Sequence, residues 1–199
     1  MKVRLGDVCD FYSGTGFPNE FQGKKNGEFP FYKVGDISKN VLSGHQNLIY
    51  CENYIDSNVV NKIKGTIIPA DTVVFAKIGE ALKLNRRAIT TCDCLIDNNT
   101  IGIKARTSKI RNLYFYYFMC NLDIQKLAES TTVPSVRKTK LMNVEIILPD
   151  INEQESIERL LNKITKLIYY RKQQLKKLDE LVKSRNVGEL VISKMEVAA

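Results

Sequence analysis

Three segments carry side chains able to read a nucleic acid. The first runs from Phe75-Ala76-Lys77-Ile78-Gly79 through Lys83-Leu84-Asn85-Arg86-Arg87, and sets Lys77, Lys83, Arg86 and Arg87 around Asn85 and a turn glycine. Cations hold phosphates, while amide and guanidinium groups match base edges, so this mixture suits DNA. A solvated basic hairpin has the same composition. The second is Asn98-Asn99, where either amide can pair with an adenine edge or fold onto its own main chain as an Asx turn. The third, Thr131 to Lys140, offers Thr132, Ser135, Arg137 and Lys138 beside Pro134. Hydroxyls and cations on such a loop suit phosphate and base contacts, and equally a structural turn.

Catalytic chemistry is thinly provided. A metal nuclease needs clustered carboxylates, for which Asp7 with Asp10, or Glu145 with Asp150, are the candidates. Asp7 is more simply a turn or cap residue. A methyltransferase needs a glycine-rich cofactor loop after a strand and a Pro-Pro-aromatic element, whereas Gly14-Thr15-Gly16 stands alone. Of the cysteines Cys9, Cys51, Cys92, Cys94 and Cys120, only Cys92 and Cys94 lie close together, and His45 is the sole histidine. Reduced, partly buried thiols are expected, with no metal and no cofactor.

A chain of 199 residues with 44% hydrophobic content holds one domain of ordinary size plus an appendage, and is neither disordered nor fibrous. Its net charge of +8 points towards a polyanion, although many basic proteins are simply soluble. The N-terminus lacks the apolar stretch of a signal peptide, and Leu113 to Cys120 is too short to span a bilayer. A cytoplasmic location without membrane contact is expected.

Positioning the reading segments requires a scaffold. Phe29 to Val34 reads as a strand with an edge proline, Thr66 to Phe75 as two β-branched runs around Pro69, and Arg87 to Thr91, Cys94 to Ile96 and Thr100 to Ala105 as further strands. Together they predict a curved, largely antiparallel, barrel-like sheet. Lys109 to Asn121 is expected as a buried helix, with the rings of Tyr114 to Phe118 covering the sheet rather than stacking on bases.

From Asp150 to Val187 neither glycine nor proline occurs, which predicts one helix over about 151–187, on the order of 55 Å long. Asn152, with Glu155 three residues on, reads as its capping box. Ile157, Leu161, Ile164, Ile168, Leu175, Leu178 and Val182 recur at heptad spacing; Leu161, Ile168, Leu175 and Val182 form one row, while Arg171 and Arg185 interrupt a second. Leu160, Leu167 and Leu181 widen the stripe, so the helix should meet a partner helix and its own globular body. Lys163, Lys166, Arg171, Lys172 and Lys176 make one half positive, either as a solvated face or towards phosphate.

Three stretches resemble the specificity subunit of type I restriction-modification systems. Val3-Arg4-Leu5-Gly6-Asp7 through Ser13-Gly14 is similar to the start of a target-recognition domain, followed by the loop Gly14-Thr15-Gly16-Phe17-Pro18, where the family more often has Gly-Gly-Thr-Pro. Ile146-Ile147-Leu148-Pro149-Asp150 through Ile157 resembles the family's strand, proline and Glu-Gln helix start. Leu175 to Arg185 resembles the end of its spacer helix. The likeness runs from Lys2 to Arg185, and Asn186-Val187-Gly188 departs from it.

The resemblance implies an α+β fold: a compact recognition domain over 1–149 with a mainly antiparallel or mixed sheet and packed helices, a coiled-coil spacer and dimerisation helix over 150–187, and a poorly ordered tail over 188–199. It implies a non-catalytic reader of double-stranded DNA, with Thr15 joining the contact residues, that docks methyltransferase subunits and in some systems a restriction subunit. Family members carry two recognition domains and two helices; this chain has one of each. The expectation is a half-size form that homodimerises, or pairs with another specificity subunit, and reads inverted half-sites. The rival is a coiled-coil adaptor without sequence-specific DNA binding.

Overall fold

The computed structural model describes residues 1–106, 108–129 and 132–197, with side chains described through residue 185. It divides into two compact units that meet between Glu158 and Arg159.

In the first unit, β1 (Lys2–Arg4) pairs antiparallel with β9 (Glu145–Ile147), placing Val3 opposite Ile146 and tying together segments far apart in sequence. A one-turn helix α1 (Leu5–Val8) leads into β2 (Cys9–Ser13). The chain continues through β3 (Phe29–Tyr32), α2 (Val34–Leu42), β4 (Tyr54–Ile55), α3 (Ser57–Lys62), β5 (Val73–Ala76), α4 (Glu80–Lys83) and β6 (Ala88–Ile89). It is completed by β7 (Leu95–Ile96), β8 (Thr100–Ala105), α5 (Asn112–Asn121) and α6 (Lys138–Met142) before β9.

The expected single curved sheet is resolved, among the described residues, into three small ones. An antiparallel sheet has the order β2-β8-β5-β6; a mixed sheet has the order β4-β3-β7, in which β3 pairs antiparallel with β4 and parallel with β7; β1 and β9 form the third. The turn after β7 ends one ladder and opens the next, while the bridges Asn47–Ile89 and Ile68–Cys94 join them. Pro30 lies in the middle strand of the mixed sheet rather than on an edge. It is tolerated because the ladder is short, with the neighbouring Phe31 N–H donating to Asn53 O at 2.7 Å.

The main core gathers Leu5, Phe75, Ile101, Ile103, Phe115, Met119, Leu141 and Ile146, all essentially inaccessible to solvent. The aromatic run forms α5 as expected and buries Phe115, Tyr116 and Met119, each burial being worth about 1.5–3 kcal/mol. The five cysteines are unpaired thiols. Among the described residues, no helix is long and apolar enough to cross a membrane.

Helix α7 (Ile151–Val197) starts at Asp150, whose Oδ1 accepts the Glu153 N–H at 2.9 Å. The cap is therefore Asp150, two residues before the Asn152 expected from its capping-box spacing to Glu155. The first two turns belong to the body. Gln154 is buried and bonds the Arg111 N–H, Lys109 O and Pro149 O at 3.0, 2.7 and 3.0 Å, so the unit boundary follows Glu158 and not Pro149.

The helix also continues past the end expected near Val187, passing through Gly188 to Val197. One glycine costs a helix about 1 kcal/mol, and no proline follows to stop it. Ala198 and Ala199 lie outside the described residues. In the second unit Leu160, Leu167, Ile168, Leu175, Leu178, Leu181 and Val182 are all exposed, as is Arg171, whose Nη1 donates to Gln174 Oε1 at 3.0 Å.

Candidate nucleic-acid interface

Strands β5 and β8 run together until Ala76 faces Thr100, and the loops beyond them stay in register. The Lys77 N–H donates to Asn99 O at 2.8 Å, while Lys77 O accepts the Val136 N–H at 2.9 Å. Ile78 bridges Ser135, and the Gly79 N–H donates to Pro134 O at 2.8 Å. On the other flank the Thr15 N–H donates to Ile96 O at 2.9 Å, and Thr15 bridges Asp97. Four loops from distant parts of the sequence are thus joined through main-chain bonds, over residues 14–16, 77–79, 97–99 and 134–136.

Two residues that sequence reasoning did not single out make this possible. A Cβ on Gly14 would stand 1.7 Å from Asp97 O, so only glycine permits the approach. Asp97 is buried; its Oδ1 accepts the Asn99 N–H at 3.2 Å and its main-chain O accepts the Thr100 hydroxyl at 2.7 Å. Burial pushes its carboxyl above the ordinary range, against the pull of hydrogen bonds from the Val34 and Asn99 N–H groups and from Thr100. The Asx turn weighed for Asn98 and Asn99 belongs to Asp97, and both asparagine side chains remain exposed. An aspartate just before an Asn-Asn pair and a β-branched strand is the signal that locates it.

Around this junction Lys77 and Ser135 are half-buried and Thr132 is exposed, while Thr131 lies outside the described residues. Thr15 is half-buried and its Oγ1 accepts the Thr66 N–H at 3.2 Å. Arg137 is exposed and pairs with Glu129 at 2.6 Å. Lys138 opens α6 rather than a loop; its Nζ lies 3.4 Å from Phe11 O and 5.8 Å from the Phe11 ring centroid. The residues supply amides, hydroxyls and cations, which is hydrogen-bonding and charge-neutralising chemistry. Among the described residues no group of three His, Cys, Asp or Glu is placed to hold a metal ion.

Lys83, Asn85, Arg86 and Arg87 are not brought to this junction by any of these bonds. The segment contains α4, not the simple basic hairpin weighed as the rival reading, and it packs on residues 120–125: Gln125 Nε2 donates to Lys83 O at 3.3 Å and Asn85 Nδ2 to Cys120 O at 3.2 Å. Lys83 is exposed and pairs with Glu80 at 2.6 Å, and Arg86 is half-buried.

Arg87 faces the core, unlike the surface cation expected from the sequence. It is 3% exposed, its guanidinium lies 4.5 Å from the Phe75 ring centroid, and it donates to Asn85 Oδ1 and Arg86 O at 2.7 and 3.1 Å. Its Nε is buried without a hydrogen-bond partner, and burial lowers its pKa to about 10. The Asn85 amide is consumed in the same contacts, so neither side chain is presented as a surface contact. A sequence shows a cation's position but not which side of the chain faces the core.

The family described as the type I restriction modification DNA specificity domain matches residues 1–180, and the chain belongs to it. The chain is 24% identical to the type I restriction enzyme MjaIX specificity subunit of Methanocaldococcus jannaschii, over 96% of this chain and 44% of that protein. It is 23% identical to the EcoR124I/EcoR124II specificity subunit of Escherichia coli, over 82% of this chain and 40% of that one. The fold is similar to that of the HsdS subunit from Thermoanaerobacter tengcongensis, with a TM-score of 0.62 and 19% identity, over 87% of this chain and 39% of that one. It is also similar to the S subunit from M. genitalium, with a TM-score of 0.58 and 14% identity over 83% and 39% of the two chains. The chain therefore spans less than half the length of these relatives.

Proposed function

We propose that the chain is a sequence-specific DNA recognition subunit of a type I restriction-modification system, non-catalytic in itself, that reads one half of a split target. The observation that carries this reading is the junction of four loops held by main-chain bonds, with the side chains of Asn98, Asn99, Lys77, Ser135 and Arg137 left to act outward or at its margin. Residues 1–149 act as the recognition domain, with the root of α7 packed into the same body. Lys83 and Arg86 add phosphate contacts from a second surface. Family membership supports docking to methyltransferase subunits, and to a restriction subunit where one is present.

The helix from 150 to 187 acts as spacer and dimerisation element. Its exposed apolar stripe is the face that a second copy, or the helix of a longer specificity subunit, covers. A two-fold pair reads two inverted half-sites at a gap set by the helices.

Single-molecule methylome sequencing of cells expressing this chain with its cognate methyltransferase subunit tests the reading. A new methylated motif of inverted, gapped half-sites is expected. The same motif in cells lacking the chain sinks the proposal.

A further inference from the structure

Helix α3 ends in a paired set of main-chain bonds: the Gly65 N–H donates to Val60 O at 2.8 Å and the Lys64 N–H to Asn61 O at 3.2 Å. This is the Schellman arrangement, in which the residue after the cap turns left-handed and is usually glycine or asparagine. Here that residue is Lys64, at φ 49°. The glycine comes one position later for a different reason, since a Cβ on Gly65 would stand 2.5 Å from Leu95 Cδ2. Glycine at 64 would serve the fold better than lysine does. A lysine kept on a disfavoured backbone conformation points to work done by the side chain.

Its surroundings indicate what that work is. The Thr66 N–H donates to Thr15 Oγ1, so residues 62–66 run beside the Gly14–Pro18 loop, which in turn bridges the Asp97–Asn99 turn. Lys62 and Lys64 are both exposed. Lys62 also lines an open cavity of about 520 Å³, together with Phe17, Phe21, Ile63 and a single carboxylate, Glu20. Phe17 is held in place, its ring stacked on buried Phe31 at 3.8 Å and its carbonyl bonded by Gln22 Nε2 at 2.9 Å. One cation on the rim of an apolar wall, with a second exposed cation two residues along the chain, suits the alternation of phosphate and sugar along a DNA strand.

We infer that Lys62 and Lys64 form a backbone subsite next to the reading loops. Their ammonium groups take neighbouring phosphates of the strand whose bases face Asn98 and Asn99, and the Phe17–Phe21 cavity takes the apolar face of the intervening deoxyribose. The inference rests on the DNA-reading proposal above. It differs from that proposal in assigning contact residues by backbone geometry rather than by loop composition.

The test is a salt titration of binding by the full chain to a random-sequence 30-base-pair duplex, with thermal melting of each variant alongside. Lys64→Gly is expected to melt at the same or a higher temperature, to bind several-fold more weakly, and to flatten the log–log salt slope by about one. Combining it with Lys62→Gln is expected to flatten the slope by about two and to weaken binding roughly tenfold or more. Lys64→Arg keeps the slope. If wild type binds and the double variant retains the wild-type slope, or if Lys64→Gly lowers the melting temperature, the subsite is wrong while the loop reading stands. A wild-type chain that binds no duplex at low salt overturns both.

Discussion

The Glu158 carboxylate joins two elements of the first unit: Oε1 accepts the Tyr114 N–H at 2.9 Å and Oε2 accepts from Arg111 Nε at 2.8 Å. Tyr114 is the third residue of α5, whose first-turn N–H groups have no partner inside the helix, so α7 supplies a cap that α5 lacks locally. Glu158→Ala leaves a buried N–H and a lost charged bond, and is expected to destabilise the body by about 2–3 kcal/mol in urea unfolding. Glu158→Gln retains an acceptor for Tyr114 and loses less. Arg111→Gln has a smaller effect than Glu158→Ala, because water reaches the arginine side chain.

Asp97 gives a signature in pH. Because burial raises its pKa from the ordinary 3.8, the folded state keeps this proton longer than the unfolded chain. The stability it contributes is present below pH 3.8 and is lost as pH rises through the raised value. Asp97→Asn removes this dependence and leaves an amide oxygen for the Asn99 N–H. The difference between wild-type and variant melting curves should therefore favour the variant increasingly as pH rises above 3.8 through the raised value. Taking the difference matters because burial also raises Asp36. Asp97→Ala deletes the acceptor, with an expected loss of about 1–2 kcal/mol and weakened DNA binding.

Arg86 and Arg87 are adjacent in sequence and opposite in consequence. Arg86→Gln is expected to flatten the salt dependence of DNA binding by up to one unit of slope, since its side chain reaches the surface. Arg87→Met is expected to leave that slope unchanged and to keep or raise the melting temperature, because it removes a buried cation with no carboxylate partner in favour of an apolar chain of similar length. A flattened slope for Arg87→Met would return Arg87 to the interface.

For the helix, Ile168→Asp and Leu175→Asp place charges in the heptad row proposed to be covered by a partner. Sedimentation at micromolar concentration should show monomers for both and a dimer for wild type. Arg171→Leu replaces an exposed cation that interrupts the second row, and is expected to tighten self-association.

The organisation of the chain was readable where local rules agree. The long helix follows from heptad spacing and the lack of glycine and proline; α5 follows from a long unalternated apolar run. What was not readable depended on contacts between distant segments. Gln154 and Glu158 look like solvent-facing members of an amphipathic helix, and become part of the body only because residues 109–114 lie against them. The loops holding Asn98, Asn99, Lys77 and Ser135 were each marked by turn residues, yet nothing in the spacing says that they meet. Arg87 read as a surface cation because charge usually is, and its burial depends on Phe75 and Asn85 facing it. Lys64 was invisible to pattern, since only its φ in the folded chain distinguishes it from any other lysine.

The bonds at the loop junction have a consequence for how such a protein can change its target. Lys77 uses both its N–H and its C=O to hold neighbouring loops, while Thr15, Gly79 and Asn99 contribute further main-chain groups. These bonds are indifferent to side-chain identity, apart from the glycine demanded at 14, the glycine at 79 with its φ of 74°, and a side-chain acceptor at 97. On the proposed DNA-reading role, exchange of residues at 77, 98, 99 and 135 would rewrite the chemistry presented without dismantling the frame that presents it, so that single substitutions would give new specificities on an unchanged fold.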